Sequence, residues 1–267
     1  MQFLTRQGRT LGFRLLGARE KPLLVLAHPL GMNQSVWDEL LPDLLPEFRV
    51  LSWDLPGHGA SSPWPDGETT LTAEEIARDV LALTEHAGAE QFHFAGTSIG
   101  GVIGQQLLTR HNESLLSATL TNTGAVIGTP DGWATRAGAV RSQGLSAMAG
   151  EIVVRWFGRE ICRHQPALLS GWQHCLSQVD DESYAALCEM LGAADYRQPL
   201  QGLQHNHSLP LLLIAGSDDV ATPPQSLQQL AQACNTDAPK VLQNVGHVPS
   251  LEAPELLSEL MLHHIRR

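Results

Sequence analysis

Cysteine is scarce in this chain. Cys162, Cys175, Cys188 and Cys234 are the four that its 267 residues contain, and none stands in a C-x-x-C pair. That spacing offers neither a disulfide framework nor a thiolate metal site. It predicts four free thiols, three of them in one helical region. Positive charge is short too: 17 Lys and Arg face 28 Asp and Glu, a net charge of −11. The balance argues against nucleic acid and anionic membrane surfaces as partners, while leaving a local arginine able to grip a small anion. No apolar run approaches the ~18 residues of a membrane span. Residues 1–8 lack a basic stretch followed by a long apolar one, so no secretory signal is expected and the expected compartment is the cytoplasm. Repeats, low-complexity tracts and interdomain linkers are missing as well. At this length one α/β domain carrying an insertion is expected, rather than two equal domains. Oligomeric state leaves no mark on the sequence.

What is present is a rhythm of short apolar runs and helical stretches. Residues 1–17 predict two strands around the turn Gln7-Gly8-Arg9. Leu23–Ala27 and Phe48–Trp53 are continuous apolar runs of the kind buried in parallel sheets. Thr72 and Glu75 are spaced as a capping box, followed by Ile76, Val80, Leu83 and Ala87 at helical spacing. A strand over Phe92 to Gly96, a helix from Ile99 to His111 and a strand from Leu116 to Asn122 come next. Strands alternating with helices at this spacing imply a mostly parallel central sheet covered by helices on both faces. The rhythm breaks at about Ala125. Until Pro199 no buried-strand run appears, and apolar residues recur at helical spacing. Residues 125–199 are therefore expected to be a helical cap inserted into a core of residues 1–124 and 200–267. The sheet resumes at Leu211–Gly216. A helix from Gln225 to Cys234, a short strand from Lys240 to Gln243 and a final helix to Ile265 complete the chain.

Chemistry concentrates at strand ends. Gly96-Thr97-Ser98-Ile99-Gly100 has the G-x-S-x-G spacing of a nucleophile elbow, a serine on a strained strand-to-helix turn. Glycines must flank it because neighbouring chains pass close to a backbone forced into an unusual region. The chain has twelve histidines, so histidine alone is no signal. His247 is singled out because Gly246-His247 directly follows the last expected strand. His58 and His28 also follow strands but are assigned to loop structure, and His205, His207, His263 and His264 to the surface. The acid must fall between serine and histidine in the chain. Asp219, in the loop after Gly216, is preferred, with its neighbour Asp218 as runner-up. The other acid position used in such sheets, after the strand ending at Asn122, offers no carboxylate. Two backbone donors for an oxyanion are expected from Ile99 and Leu30, since Pro29 has no N–H.

Together these motifs resemble the α/β-hydrolase superfamily. They are His28-Pro29-Leu30-Gly31, Asp54-Leu55-Pro56-Gly57-His58-Gly59, the elbow, Gly216-x-x-Asp219-x-x-Thr222-Pro223 and Gly246-His247. Within it the chain is similar to 3-oxoadipate enol-lactonases and related carboxylesterases, through Gly128-Thr129-Pro130-Asp131-Gly132-Trp133 and Arg155-Trp156-Phe157. It departs from those lactonases at residues 28–31, where they usually carry Asn-Ser-Leu-Gly. The resemblance implies a catalytic triad of Ser98, Asp219 and His247 that hydrolyses a small-molecule ester or lactone without metal or organic cofactor. Cap residues Trp133, Arg136, Arg155 and Trp156 would then shape the pocket, an arginine holding a substrate carboxylate. A general carboxylesterase, carbon–carbon bond hydrolysis, cofactor-free perhydrolysis and a non-catalytic ligand receptor remain open alternatives.

Overall fold

The computed structural model describes residues 1–65, 70–201 and 209–266. Strands β1 (Gln2–Arg6) and β2 (Arg9–Leu16) form the expected antiparallel hairpin. Gln7 and Gly8 at its turn both have positive φ, 49° and 75°, which matches the right-handed twist of the two strands. Strand β3 (Leu23–Ala27) is buried at all five positions. A one-turn helix, α1 (Leu41–Leu44), leads to β4 (Arg49–Trp53). Helix α2 (Ala73–His86) starts where Thr72 Oγ1 accepts the Glu75 N–H at 3.2 Å, and it buries Ile76, Val80 and Leu83 along one face. Strand β5 (Phe92–Thr97), helix α3 (Ile99–Arg110) and strand β6 (Leu115–Thr121) follow as expected.

Between β6 and β7 the chain runs through helices α4 (Pro130–Gln143), α5 (Leu145–Val153), α6 (Arg159–His164), α7 (Pro166–Ser177), α8 (Asp181–Ala193) and α9 (Arg197–Gln201). The segment Gly128 to Trp133 proves to be a helix start. Thr129 caps α4 through the Gly132 N–H, and Pro130 occupies the first position, where a missing N–H does no harm. Strand β7 (Leu211–Gly216), helix α10 (Pro224–Cys234) and strand β8 (Lys240–Leu242) complete the sheet. The expected final helix is two pieces, α11 (Pro249–Glu252) and α12 (Pro254–Ile265). Ala253 breaks it with φ −149°, because the residue before a proline is driven out of the helical region.

The sheet order is β1-β2-β4-β3-β5-β6-β7-β8, with β2 antiparallel to both of its neighbours, β1 and β4, and every other neighbouring pair parallel. Parallel strands end on the same side. The loops after β3, β4, β5, β6, β7 and β8 therefore gather at one edge, the usual place for a site in an open parallel sheet.

Cys162, Cys175 and Cys188 fall on the consecutive helices α6, α7 and α8 of the expected helical region, and all four cysteines are free thiols. Two expectations about histidines need adjusting or lie out of view. His263 is exposed as expected, but His264 is half-buried, because α12 turns it toward the sheet near His93. His205 and His207 lie outside the described residues. Among the described residues no helix is long and apolar enough to cross a membrane.

Candidate active site

Ser98 caps α3 with φ 59° and ψ −117°, a conformation that costs an L-residue roughly 1–3 kcal/mol. Its neighbours explain how the strain is held. A Cβ on Gly96 would lie 2.3 Å from Gly100 O, and one on Gly100 would lie 2.4 Å from Ala27 O. Side chains at either position would push the helix off the sheet. Ser98 N–H donates to Thr121 O at 3.0 Å, and Thr123 Oγ1 donates to Ser98 O at 2.9 Å, so both sides of the elbow are pinned to the β6 end.

Asp219 and His247 come together from the loops after β7 and β8. His247 Nδ1 lies 2.8 Å from Asp219 Oδ2, and both side chains are buried. Asp219 takes further hydrogen bonds: the Ala221 and Thr222 N–H groups reach Oδ1, while Thr222 Oγ1 and Asn122 Nδ2 reach Oδ2. Burial pushes the Asp219 carboxyl up. The adjacent His247 charge and these hydrogen bonds outweigh it and bring the group down to about 2. Asp218 does something different. It accepts from Arg159 at 3.3 Å at the start of α6, an ion pair on the outer side.

The loop after β3 faces the elbow. Among the described residues nothing accepts the Leu30 N–H, whereas Gly31 N–H donates to His58 Nε2 at 3.0 Å and Met32 N–H to Pro29 O. Ile99, first residue of α3, has an N–H without an intrahelical partner by position. His28 Nε2 in turn accepts the Leu55 N–H at 2.9 Å. His28 and His58 are thus loop residues, and also a buried neutral pair with ring centroids 5.6 Å apart. Burial brings His28 down to about 4; burial and the neighbouring His28 bring His58 down to about 3.

Ser98, His247 and Leu30 open onto one cavity of about 370 Å³, a size suited to a small organic molecule. Its far wall includes Trp133, Arg136, Arg155 and Trp156, so all four residues singled out in the helical segment border the cavity that Ser98 borders. Arg136 sits against the buried Tyr184 hydroxyl, and Arg155 is exposed. Among the described residues neither arginine has an ion-pair partner, in a chain with eleven more acidic than basic side chains. Among the described residues no cluster of His, Cys, Asp or Glu is arranged to hold a metal ion.

Sequence reasoning did not find Asn122, Tyr184 or the neutral histidine pair. In the sequence Asn122 shows only as the lack of a carboxylate after β6; its φ of 47° is visible only in the fold.

The sheet order, the serine turn and the loops gathered over it are those of an α/β hydrolase, and a model of the α/β hydrolase fold matches residues 22–254. The chain belongs to that family. The 3-oxoadipate enol-lactonase 2 of Acinetobacter baylyi is 33% identical to it over 252 residues, spanning 94% of this chain and 91% of that protein. The crystal structure of the enol-lactonase from Burkholderia xenovorans LB400 superposes with a TM-score of 0.91 at 30% identity, covering 100% of both chains. A pimeloyl-[acyl-carrier protein] methyl ester esterase of Aeromonas hydrophila is 29% identical, over 91% of this chain and 95% of that protein.

Proposed function

We propose that this protein is a serine hydrolase of carboxylic esters and lactones, and that its substrate class is an enol-lactone bearing a carboxylate, of the 3-oxoadipate type. Ser98 Oγ attacks the acyl carbon while His247 Nε2 takes its proton, and Asp219 holds the imidazole by Nδ1 and supports its positive charge. The Leu30 and Ile99 N–H groups receive the oxyanion. His247 then protonates the leaving oxygen and activates the water that cleaves the acyl-enzyme. Residues 125–199 act as the cap over a core of residues 1–124 and 200–267. The enzyme works in the cytoplasm, in keeping with four free thiols.

The observation that carries this reading is the 2.8 Å contact between buried His247 and Asp219 at a cavity that Ser98 also lines. The substrate class rests on Arg136 and Arg155, two cations bordering that cavity without carboxylate partners among the described residues, and on the similarity to enol-lactonases. Arginine grips a carboxylate at two points, which suits a small dicarboxylic acid derivative. Ser98→Ala should lower hydrolysis of both a p-nitrophenyl ester and an enol-lactone by at least about 10³-fold. Rates near wild type on both substrates would sink the mechanism.

A further inference from the structure

Glu252, the last residue of α11, lies under the loop that carries His247, and its carboxylate faces backbone. Oε1 accepts the Gly246 N–H at 3.0 Å and the Val248 N–H at 3.3 Å, from the residues on either side of His247. Oε2 accepts the Gly246 N–H at 3.0 Å and the Gly158 N–H at 2.7 Å. Gly158 closes the turn between α5 and α6 that also carries Trp156, a wall of the Ser98 cavity, and it lies 94 residues from Glu252 in sequence. The two loops meet again where His247 N–H donates to Trp156 O at 2.8 Å. Their approach leaves no room for a side chain. A Cβ on Gly158 would lie 2.9 Å from Asn244 O, 3.0 Å from Glu252 Oε2 and 3.2 Å from Gly246 N.

We propose that Glu252 is a positioning residue that clasps the His247 loop to the Trp156–Gly158 loop, so that the base and the substrate-facing wall keep one fixed spacing. The clasp rests on the reading of His247 as the base. Hydrogen bonds to a charged acceptor are roughly twice as strong as neutral ones, so one ionised carboxylate can hold both loops. Burial and the charge of Asp219 push the Glu252 carboxyl up, and the N–H groups of Gly158, Gly246 and Val248 pull against that. The other ionisable groups around it are His247 on the base loop, Cys162 on α6 and the Asp218–Arg159 ion pair beside Gly158.

One consequence separates this role from plain packing. A slack clasp misplaces His247 for every substrate, lowering kcat, but it weakens binding only for substrates that touch the Trp156 wall.

The experiment is Glu252→Gln, assayed on p-nitrophenyl acetate and on a carboxylate-bearing enol-lactone, with rates expressed per serine titrated by a fluorophosphonate. Expected are a kcat about 10- to 100-fold lower on both substrates and a KM raised several-fold on the lactone alone. Parameters within twofold of wild type overturn the proposal. A kcat loss without the KM split overturns it too. If Glu252→Gln does not fold, Gly158→Ala wedges the same loops apart with the charge retained. It should give the same kcat loss, and a normal kcat there overturns the clasp. Ser98→Ala run in parallel separates the readings. Activity surviving that change overturns both, whereas its loss beside an unaltered Glu252→Gln removes the clasp alone.

Discussion

Asn122 Nδ2 stands 2.9 Å from Asp219 Oδ2 and 2.8 Å from Gly246 O, so one buried amide ties the end of β6 to both Asp219 and the loop of His247. The residue is held at φ 47°, a left-handed conformation that asparagine tolerates better than most side chains. Asn122→Gly keeps the backbone easy and removes both hydrogen bonds. It should lower kcat/KM about tenfold and cost roughly 1–3 kcal/mol of stability, as two buried acceptors lose a donor. Thermal unfolding and ester kinetics on the same preparation check this. Wild-type kinetics would show that Asp219 needs no support from β6.

The two neighbouring carboxylates make a sharp internal comparison. Asp219 accepts from Asn122, Ala221, Thr222 and His247, while Asp218 pairs outward with Arg159. Asp219→Asn should therefore lower kcat by about 10³–10⁴-fold, because an amide cannot hold the imidazole in the required tautomer. Asp218→Asn should leave kcat within about threefold of wild type, since it loses an ion pair with the exposed Arg159 and long hydrogen bonds from the Arg159 N–H and Ser217 Oγ, none of them to His247. The reverse ranking would transfer the acid role to Asp218.

Acid sensitivity follows from the histidine pair. In the unfolded chain His28 and His58 take protons near 6.5, whereas folded they do so at about 4 and about 3. The folded values lie below the unfolded ones, so unfolding takes up protons below pH 6.5. Their contribution to stability is full above that pH and is lost as pH falls toward 4 and then 3. Each pH unit between a folded and an unfolded value is worth ~1.4 kcal/mol, so the loss is on the order of several kcal/mol. Asp219 adds a separate limb, present above its ordinary 3.8 and lost as pH falls through about 2. His58→Gln keeps an oxygen able to accept the Gly31 N–H and should flatten the slope of Tm against pH between 6.5 and 4. An unchanged slope would mean that other groups set it.

Much of this could be read from the chain alone, and the division is physical. Strands such as Leu23–Ala27 and Leu211–Gly216 announce themselves because a strand covered on both faces must be apolar at successive positions. Ser98, Asp219 and His247 could be read together because each follows a strand that ends at the same sheet edge. Glu252 and Asn122 could not. Asn122 meets Asp219, 97 residues away, Glu252 reaches across to Gly158, 94 residues away, and nothing local distinguishes them from a turn asparagine or a surface glutamate. The neutral state of His28 and His58 is likewise a product of burial, which a glycine-rich loop sequence does not encode.

The two cavity arginines predict selectivity. Arg136→Ala should raise KM for a carboxylate-bearing lactone about 10- to 100-fold, the loss of a charged hydrogen-bonded contact, and leave a neutral p-nitrophenyl ester nearly unaffected. Arg136→Lys should fall between, since lysine keeps the charge but not the two-point grip. Arg155, exposed at the wall, should show the same sign with a smaller effect. Equal losses on both substrates would assign these residues to packing.

The Leu30 N–H gives the most direct test of where negative charge develops. The loop keeps this donor free among the described residues while using its neighbours, Gly31 toward His58 and Met32 toward Pro29. Leu30→Ala shortens the side chain and keeps the N–H, so kcat should stay within about fivefold of wild type. Leu30→Pro removes the donor and should cost about 10²–10³ in kcat with little change in KM, because the oxyanion exists only along the reaction and not in the bound substrate. Circular dichroism and fluorophosphonate titration establish that the Pro variant keeps a folded, reactive Ser98. A Pro variant as fast as the Ala variant would move the second donor away from residue 30 and leave Ile99 as the one assigned to the oxyanion.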